Sequence, residues 1–284
     1  MVPAPHDRAP RARDDLELAL AAADLADSIT LARFRAEDLL IETKPDLTPV
    51  TDADRGVERA IHGAIHDARP DDAILGEEYG ARGAGRGRPA PGQEDRRRRW
   101  IVDPIDGTQS YVRGMPIFAS LIALEVDGEV QLGVVSAPAL AMRWWASRGR
   151  GAHGRCACGR GAPPEGRSIK VSRVSELAGA QLAWSGIEDW VEVGRLQALL
   201  ALGSGCRRTR GVGDFWQYML VAEGAAEVAL DPTASIWDLA AVQVIVEEAG
   251  GRFTDLGGTR THEGGDAIAT NGLLHDAALA IVGR

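Results

Sequence analysis

The sequence predicts an α+β fold, and three observations carry the prediction. Two segments near the start repeat apolar residues at helical spacing. A long hairpin with an Asp-Gly turn follows, beside further short apolar strands. The rest alternates short strands with helices and holds no internal repeat. At roughly 150 residues per domain, 284 residues make about two units. One compact body split into halves fits this as well as two separate domains do.

Each element has its own signal. Residues 1–14 are rich in Pro, Ala and Arg without an apolar run, which predicts a mobile tail and no secretory signal. Leu18, Ala22, Leu25, Ile29 and Ala32 form one face of a helix over 15–36. After the Lys44-Pro45-Asp46 loop, Thr51-Asp52-Ala53-Asp54 resembles a capping box, with Asp in place of the usual Glu at the third helical position. The helix behind it turns Val57, Ile61, Ala64, Ile65 and Ala68 inward. Residues 73–75 are an apolar strand ending at Gly76-Glu77-Glu78, and 100–102 are another, ending at Asp103. Between them, Gly, Pro and Arg dominate residues 80–99, as expected of a flexible loop. Residues 118–126 and 129–136 flank Asp127-Gly128, a favoured two-residue hairpin turn, and 143–146 form a neighbouring strand. A second Gly/Pro-rich loop covers 153–167. Beyond it come strands near 169–172, 181–185 and 226–230, and a helix over 214–223. A helix over 237–249 stops at Gly250-Gly251. Strands at Phe253 and 267–269 and a last helix over 273–282 complete the chain.

Composition removes several function classes. The chain carries 32 basic and 41 acidic residues, a net charge of −9. Nucleic acid and anionic membrane surfaces both require a basic face, so neither is an expected partner. No apolar run approaches the roughly 20 residues of a membrane span. Three cysteines imply no disulfide framework and fit a reducing cytoplasm. A small phosphate substrate remains open, because one metal ion can reverse the local field.

Chemistry concentrates in Asp103-Pro104-Ile105-Asp106-Gly107-Thr108. Two carboxylates across a Pro-fixed turn can converge on one point, and Gly107 lets a ligand approach the backbone closely. The segment that follows can open a helix whose free N–H groups suit a phosphate. With the Ile105 carbonyl these are hard oxygen donors, which suit Mg²⁺. Adjacent Glu77-Glu78 and helix-opening Asp238 each have an ordinary surface or capping explanation when taken alone. All three motifs lie at the ends of apolar elements, where folding can bring them together.

In this order and spacing, Gly76-Glu77-Glu78, the 103–108 motif and Trp237-Asp238 resemble the inositol monophosphatase superfamily over nearly the whole chain. Within it, Lys44 to Asp52, Val134 to Ala139, Arg143-Trp144-Trp145 and Gly213-Asp214-Phe215 are most similar to the bacterial histidinol-phosphate phosphatases. The resemblance implies a layered αβαβα sandwich of the inositol monophosphatase and fructose-bisphosphatase type, built as one unit. Residues 15–167 would be an N-terminal half holding most metal ligands. Residues 168–284 would supply Asp238 and the substrate pocket. It further implies Mg²⁺-dependent phosphomonoester hydrolysis with two or three ions, a homodimer and a cytoplasmic place in histidine biosynthesis. By the matching motifs, Glu77, Asp103, the Ile105 carbonyl and Thr108 would surround one metal, and Asp103, Asp106 and Asp238 a second. Asp52 matches the acid that hydrogen-bonds the Thr108 hydroxyl. Thr108 and Glu77 would orient the attacking water, and the N–H groups of Gly107 and Thr108 would hold the phosphate.

For the substrate, Asp214 and Asp231 are expected to receive the cationic end of histidinol phosphate. Arg210 would orient one of them, and Phe215 or Trp216 would cover the ring. Inositol monophosphate is the alternative substrate, ahead of fructose bisphosphate or an adenosine bisphosphate. A silent scaffold member of the family would have lost a metal carboxylate, and Glu77, Asp103, Asp106 and Asp238 are all present.

Overall fold

The computed structural model of the chain describes residues 8–45, 47–82, 97–156 and 166–283, with side chains from Asp14 onward in the first helix. That helix, α1 (Arg8–Arg33), starts seven residues before the expected 15. Part of the expected tail is therefore helical, with Pro10 in the first turn, where its missing N–H removes no bond. Residues 1–7 and most of the two Gly-rich loops lie outside the described residues. A short hairpin, β1 (Ile41–Thr43) and β2 (Pro49–Thr51), leads into α2 (Asp52–Ala68). The capping box forms as expected: Thr51 Oγ1 accepts from the Asp54 N–H, and the Asp54 carboxylate accepts from the Thr51 N–H at 2.8 Å.

The central sheet follows. Its strands are β3 (Ala73–Gly76), β4 (Gly80–Arg82), β5 (Arg98–Asp106), β6 (Ala119–Val126), β7 (Glu129–Ala137), β8 (Met142–Ser147), β9 (Ala152–Cys156) and β10 (Arg167–Ser168). A short helix, α3 (Thr108–Val112), lies between β5 and β6. The spatial order is β10-β9-β8-β7-β6-β5-β3-β4, antiparallel except where β3 runs parallel to β5. Asp127 (φ 56°) and Gly128 (φ 82°) both take the positive φ that a tight hairpin between β6 and β7 needs.

Alternation along the strands gives the sheet two apolar faces. Trp100, Val102, Ile122 and Leu124 pack against Ala19, Ala22 and Ala26 of α1 and Val57, Ile61 and Ile65 of α2. Ile101, Leu121, Ala123 and Val135 face the other way, toward α6 (Asp214–Ala222) and α7 (Ile236–Glu248). Every residue from Leu239 to Val246 of α7 is buried, as befits a helix enclosed between two sheets. The second sheet is built from β11 (Gln181–Trp184), β12 (Arg208–Gly211), β13 (Val228–Asp231), β14 (Arg252–Thr254) and β15 (Ala267–Thr270), in the order β12-β11-β13-β15-β14. Its far face packs Leu182, Val228, Leu230 and Ile268 against α4 (Ile187–Glu192), α5 (Leu196–Gly205) and α8 (His275–Val282) through Trp190, Leu199, Leu202, Ala278 and Val282. The result is the layered αβαβα sandwich.

Several local expectations change. Residues 169–172 form no strand: the Ile169 N–H goes to Ala152 and the Val171 N–H to Ala249, so the segment bridges two elements without joining one ladder. Helices α4 and α5 and strand β12 were not anticipated, and the ends of the two expected loops, 80–99 and 153–167, are strands instead: β4 and the start of β5 for the first, β9 and β10 for the second. Cys206 is a free thiol as expected, whereas Cys156 is disulfide-bonded, which the cysteine count did not indicate. His262, in the bend segment 261–266, and His275, at the start of α8 (His275–Val282), are both buried. His262 contacts Glu125 at 2.8 Å, and His275 lies between Thr254 and Thr270.

Candidate metal centre

The site forms where the central strands end. In a regular strand, residues three apart face opposite sides. Here the β5–β6 register shifts between Asp103 and Asp106, at Pro104, which has no N–H to give the ladder. The Pro104 carbonyl instead accepts from Ser120 Oγ at 2.6 Å. Across this bulge the two carboxylates reach one place. Asp238 comes from the first turn of α7, where its carboxylate also accepts the Ser235 N–H at 2.7 Å. Carboxylate oxygens of Asp103, Asp106 and Asp238 lie within 4.8 Å of one another.

Such a cluster is unfavourable without positive charge. Asp103 and Asp106 are 2% and 8% exposed. Burial first, and then repulsion from Glu77, Asp106 and Asp238, drives the Asp103 carboxyl well above its usual range. Burial and the Asp214 and Asp238 charges do the same to Asp106, against a hydrogen bond from the Phe215 N–H. Burial lifts Asp238 to about 6. Asp103 Oδ1 is buried without a hydrogen-bond partner. Hard oxygen donors, crowded negative charge and an orphaned buried oxygen together fit a hard divalent cation.

Glu77 comes near this cluster, though outside the 4.8 Å group, because β3 is parallel to β5. Gly76 pairs with Val102, and the Glu77 N–H donates to the Val102 carbonyl at 3.3 Å, one residue before Asp103. Burial raises the Glu77 carboxyl although Lys44 opposes the shift, and the Glu78 and Asp238 charges add to it. Lys44, between β1 and β2, puts Nζ 2.7 Å from Glu77 and 2.6 Å from Glu78. The hairpin thus lies against the acidic cluster.

Thr108 opens α3 just after Gly107, whose φ of 82° is a left-handed turn. Its hydroxyl is 2.8 Å from the Ile105 carbonyl and 3.1 Å from Asp54 Oδ1. The expected partner, Asp52, is not there: it accepts the Leu40 N–H and pairs with Arg33 at 2.9 Å. Two positions apart on a helix, the two acids face different ways. Asp54 shares the buried face with Val57 and Ile61, and Asp52 lies at its edge. Burial lifts Asp54 to about 6, although Thr51 and Thr108 donate to it.

The expected substrate residues divide. Asp214 has a φ of 51°, uncommon for a residue with a side chain, and its carboxylate would be 3.0 Å from a β-carbon at Gly107. It therefore borders the turn proposed to hold phosphate, and burial lifts it to about 6. Asp231 is 8% exposed, with Gln217 Nε2 and Tyr218 OH (2.9 Å) donating to Oδ2. Burial pushes it to about 8. Arg210 orients neither acid: it is exposed on edge strand β12 and donates to the Thr209 carbonyl at 3.0 Å. Phe215 is buried against Trp144 and cannot cover a ligand, whereas Trp216 is partly exposed.

Comparison with known proteins agrees with this geometry. The model of the inositol monophosphatase family matches residues 12–283. A histidinol-phosphatase of Mycobacterium tuberculosis is 52% identical, aligned over 94% of this chain and 96% of that protein. Another from Streptomyces coelicolor is 46% identical over 95% and 97%. Among solved structures, an IMPase of Thermotoga maritima superposes with a TM-score of 0.78 at 29% identity, covering 95% of this chain and 96% of that one. The extragenic suppressor protein suhB of Bartonella henselae gives 0.81 at 26%, covering 95% and 98%.

Proposed function

Because the chain belongs to the inositol monophosphatase family, a family of metal-dependent phosphatases, we propose that it hydrolyses histidinol phosphate to histidinol and phosphate with Mg²⁺. The observation that carries this is the convergence of Asp103, Asp106 and Asp238 in a chain so similar, end to end, to proteins named histidinol-phosphatase.

Glu77, Asp103, the Ile105 carbonyl, Asp106 and Asp238 would hold two or three ions, with Thr108 beside them. Bound Mg²⁺ supplies the positive charge that offsets a phosphate dianion and a leaving oxygen and makes a nearby water more acidic. The chain does the rest. Backbone N–H groups of Gly107 and Thr108 hold phosphate oxygens. Glu77 and the Thr108 hydroxyl orient the attacking water. When that water gives a proton to Thr108 Oγ1, the hydroxyl passes its own to Asp54, whose carboxyl at about 6 suits proton traffic near neutral pH. Water attacks phosphorus directly, so no residue is phosphorylated. Asp214, with Asp231 behind it, receives the ammonium or imidazole of the substrate. The chain acts as a cytoplasmic homodimer in histidine biosynthesis, which the family resemblance supports. Among the described residues, no helix is long and apolar enough to cross a membrane.

The test is phosphate release from histidinol phosphate by wild type, by wild type with a chelator, and by Asp106→Asn. Turnover that stops in the second and third cases supports the assignment. Near-normal turnover by Asp106→Asn rejects it.

A further inference from the structure

One helical turn beyond Asp54, on the same buried face of α2, is Glu58, which is 4% exposed. Its Oε2 accepts the N–H of Glu78 at 2.8 Å, and its Oε1 accepts the N–H of Tyr79 at 3.1 Å. Among the described residues it forms no ion pair, so both oxygens serve the backbone of the turn that carries Glu77. The approach is close: a β-carbon at Gly76 would fall 2.0 Å from Glu58 Oε1, so only glycine lets the end of β3 pass over this carboxylate.

Packing does not account for an acid at this position. The carboxylate is buried close to Glu77 and Glu78, which repel it, and a neutral residue would fill the space with less penalty. Its two oxygens do match the two N–H groups of the turn, which no apolar residue would satisfy.

We propose that Glu58 is a positioning residue for Glu77. It fixes the 77–79 turn so that the Glu77 carboxylate stays beside Asp103 and Asp238. Helix α2 then braces both sides of the site, with Asp54 on Thr108 and Glu58 on the turn behind Glu77. The role rests on the assignment of Glu77 as a metal ligand.

Glu58→Gln tests it, because the amide keeps the shape but turns a donor toward one of the two N–H groups. Three quantities are read: Mg²⁺ affinity by calorimetry on metal-free protein, the unfolding temperature in chelator, and the Mg²⁺ dependence of phosphate release. Outer partners of metal ligands typically contribute about 10- to 100-fold to affinity. Glu58→Gln should therefore bind Mg²⁺ about tenfold or more weakly, and kcat at saturating Mg²⁺ should fall as well, because Glu77 also orients the attacking water. Gly76→Ala presses on the same carboxylate from the other side and should weaken Mg²⁺ binding in the same way. Equal Mg²⁺ affinity in wild type and Glu58→Gln overturns the role. So does a lower unfolding temperature in chelator with Mg²⁺ affinity unchanged, which would assign Glu58 to the fold alone. Wild type that binds no Mg²⁺ overturns the metal centre itself, and the Glu58 role with it.

Discussion

The hydroxyl of Thr108 stands 3.1 Å from Asp54 Oδ1, while Asp52, two residues earlier, turns away to Arg33. The two acids should therefore differ sharply on mutation. Asp54→Asn loses the proton acceptor behind Thr108, and kcat should fall about a hundredfold or more, the usual scale for general-base help. Asp52→Asn removes a partly exposed ion pair and should change kcat by less than about twofold, at a stability cost below about 1 kcal/mol. Steady-state kinetics of the two variants decides between them. A large loss in Asp52→Asn with little in Asp54→Asn would reverse the assignment.

The crowded carboxylates predict how metal binding depends on pH. Asp238 rises to about 6, and Asp103 and Asp106 lie well above the usual carboxylate range. A cation must displace the protons they hold, so apparent Mg²⁺ affinity should climb as pH rises. Between pH 5.5 and 7.5 the gain should be about tenfold or more, with proton release visible in calorimetry across buffers of different ionisation enthalpy. A pH-independent affinity would mean that these groups do not hold the ion.

Asp214 should matter by substrate. Its carboxylate borders the Gly107 turn, and it keeps an unusual backbone conformation to do so. Asp214→Ala should lower kcat/KM for histidinol phosphate by about tenfold or more, as expected on losing a charged hydrogen bond of roughly 1.5–3 kcal/mol. A neutral phosphomonoester should lose less. An unchanged kcat/KM for histidinol phosphate would remove Asp214 from substrate recognition.

His275 predicts a stability effect remote from the site. Burial lowers its folded-state value to about 4, and its ring is held between Thr254 and Thr270. The unfolded chain takes up a proton near pH 6.5 that the folded chain refuses. The neutral ring therefore stabilises fully above about 6.5, and this contribution is lost as pH falls toward 4. Going from pH 7 to 4.5, wild type should lose about 2 kcal/mol more unfolding free energy than His275→Gln. Parallel losses in denaturant titrations would contradict a buried neutral imidazole.

The parts of the structure legible in the sequence are those set by local chemistry. Asp127-Gly128 can only turn tightly, and the apolar runs beside it pair as expected. Thr51 and Asp54 close their capping box. The convergence of Asp103 and Asp106 was legible as a Pro-fixed turn, although the bulge that achieves it depends on β6. The choice between Asp52 and Asp54 was readable and was missed: Asp54 is three residues before Val57 and seven before Ile61, in register with the inward stripe, and Glu58 lies on the same face. Arg210 was misplaced because its exposure depends on β12 being an edge strand, which only the assembled sheet decides. The Gln217 and Tyr218 partners of Asp231 come from α6 folding over β13, a tertiary contact with no local signal.

The most direct test is the ratio of kcat/KM for histidinol phosphate to that for inositol monophosphate, at saturating Mg²⁺. A clear preference for histidinol phosphate, lost when the metal is chelated, is the predicted result. A clear preference for inositol phosphate would contradict the substrate while leaving the fold and the carboxylate cluster as they are.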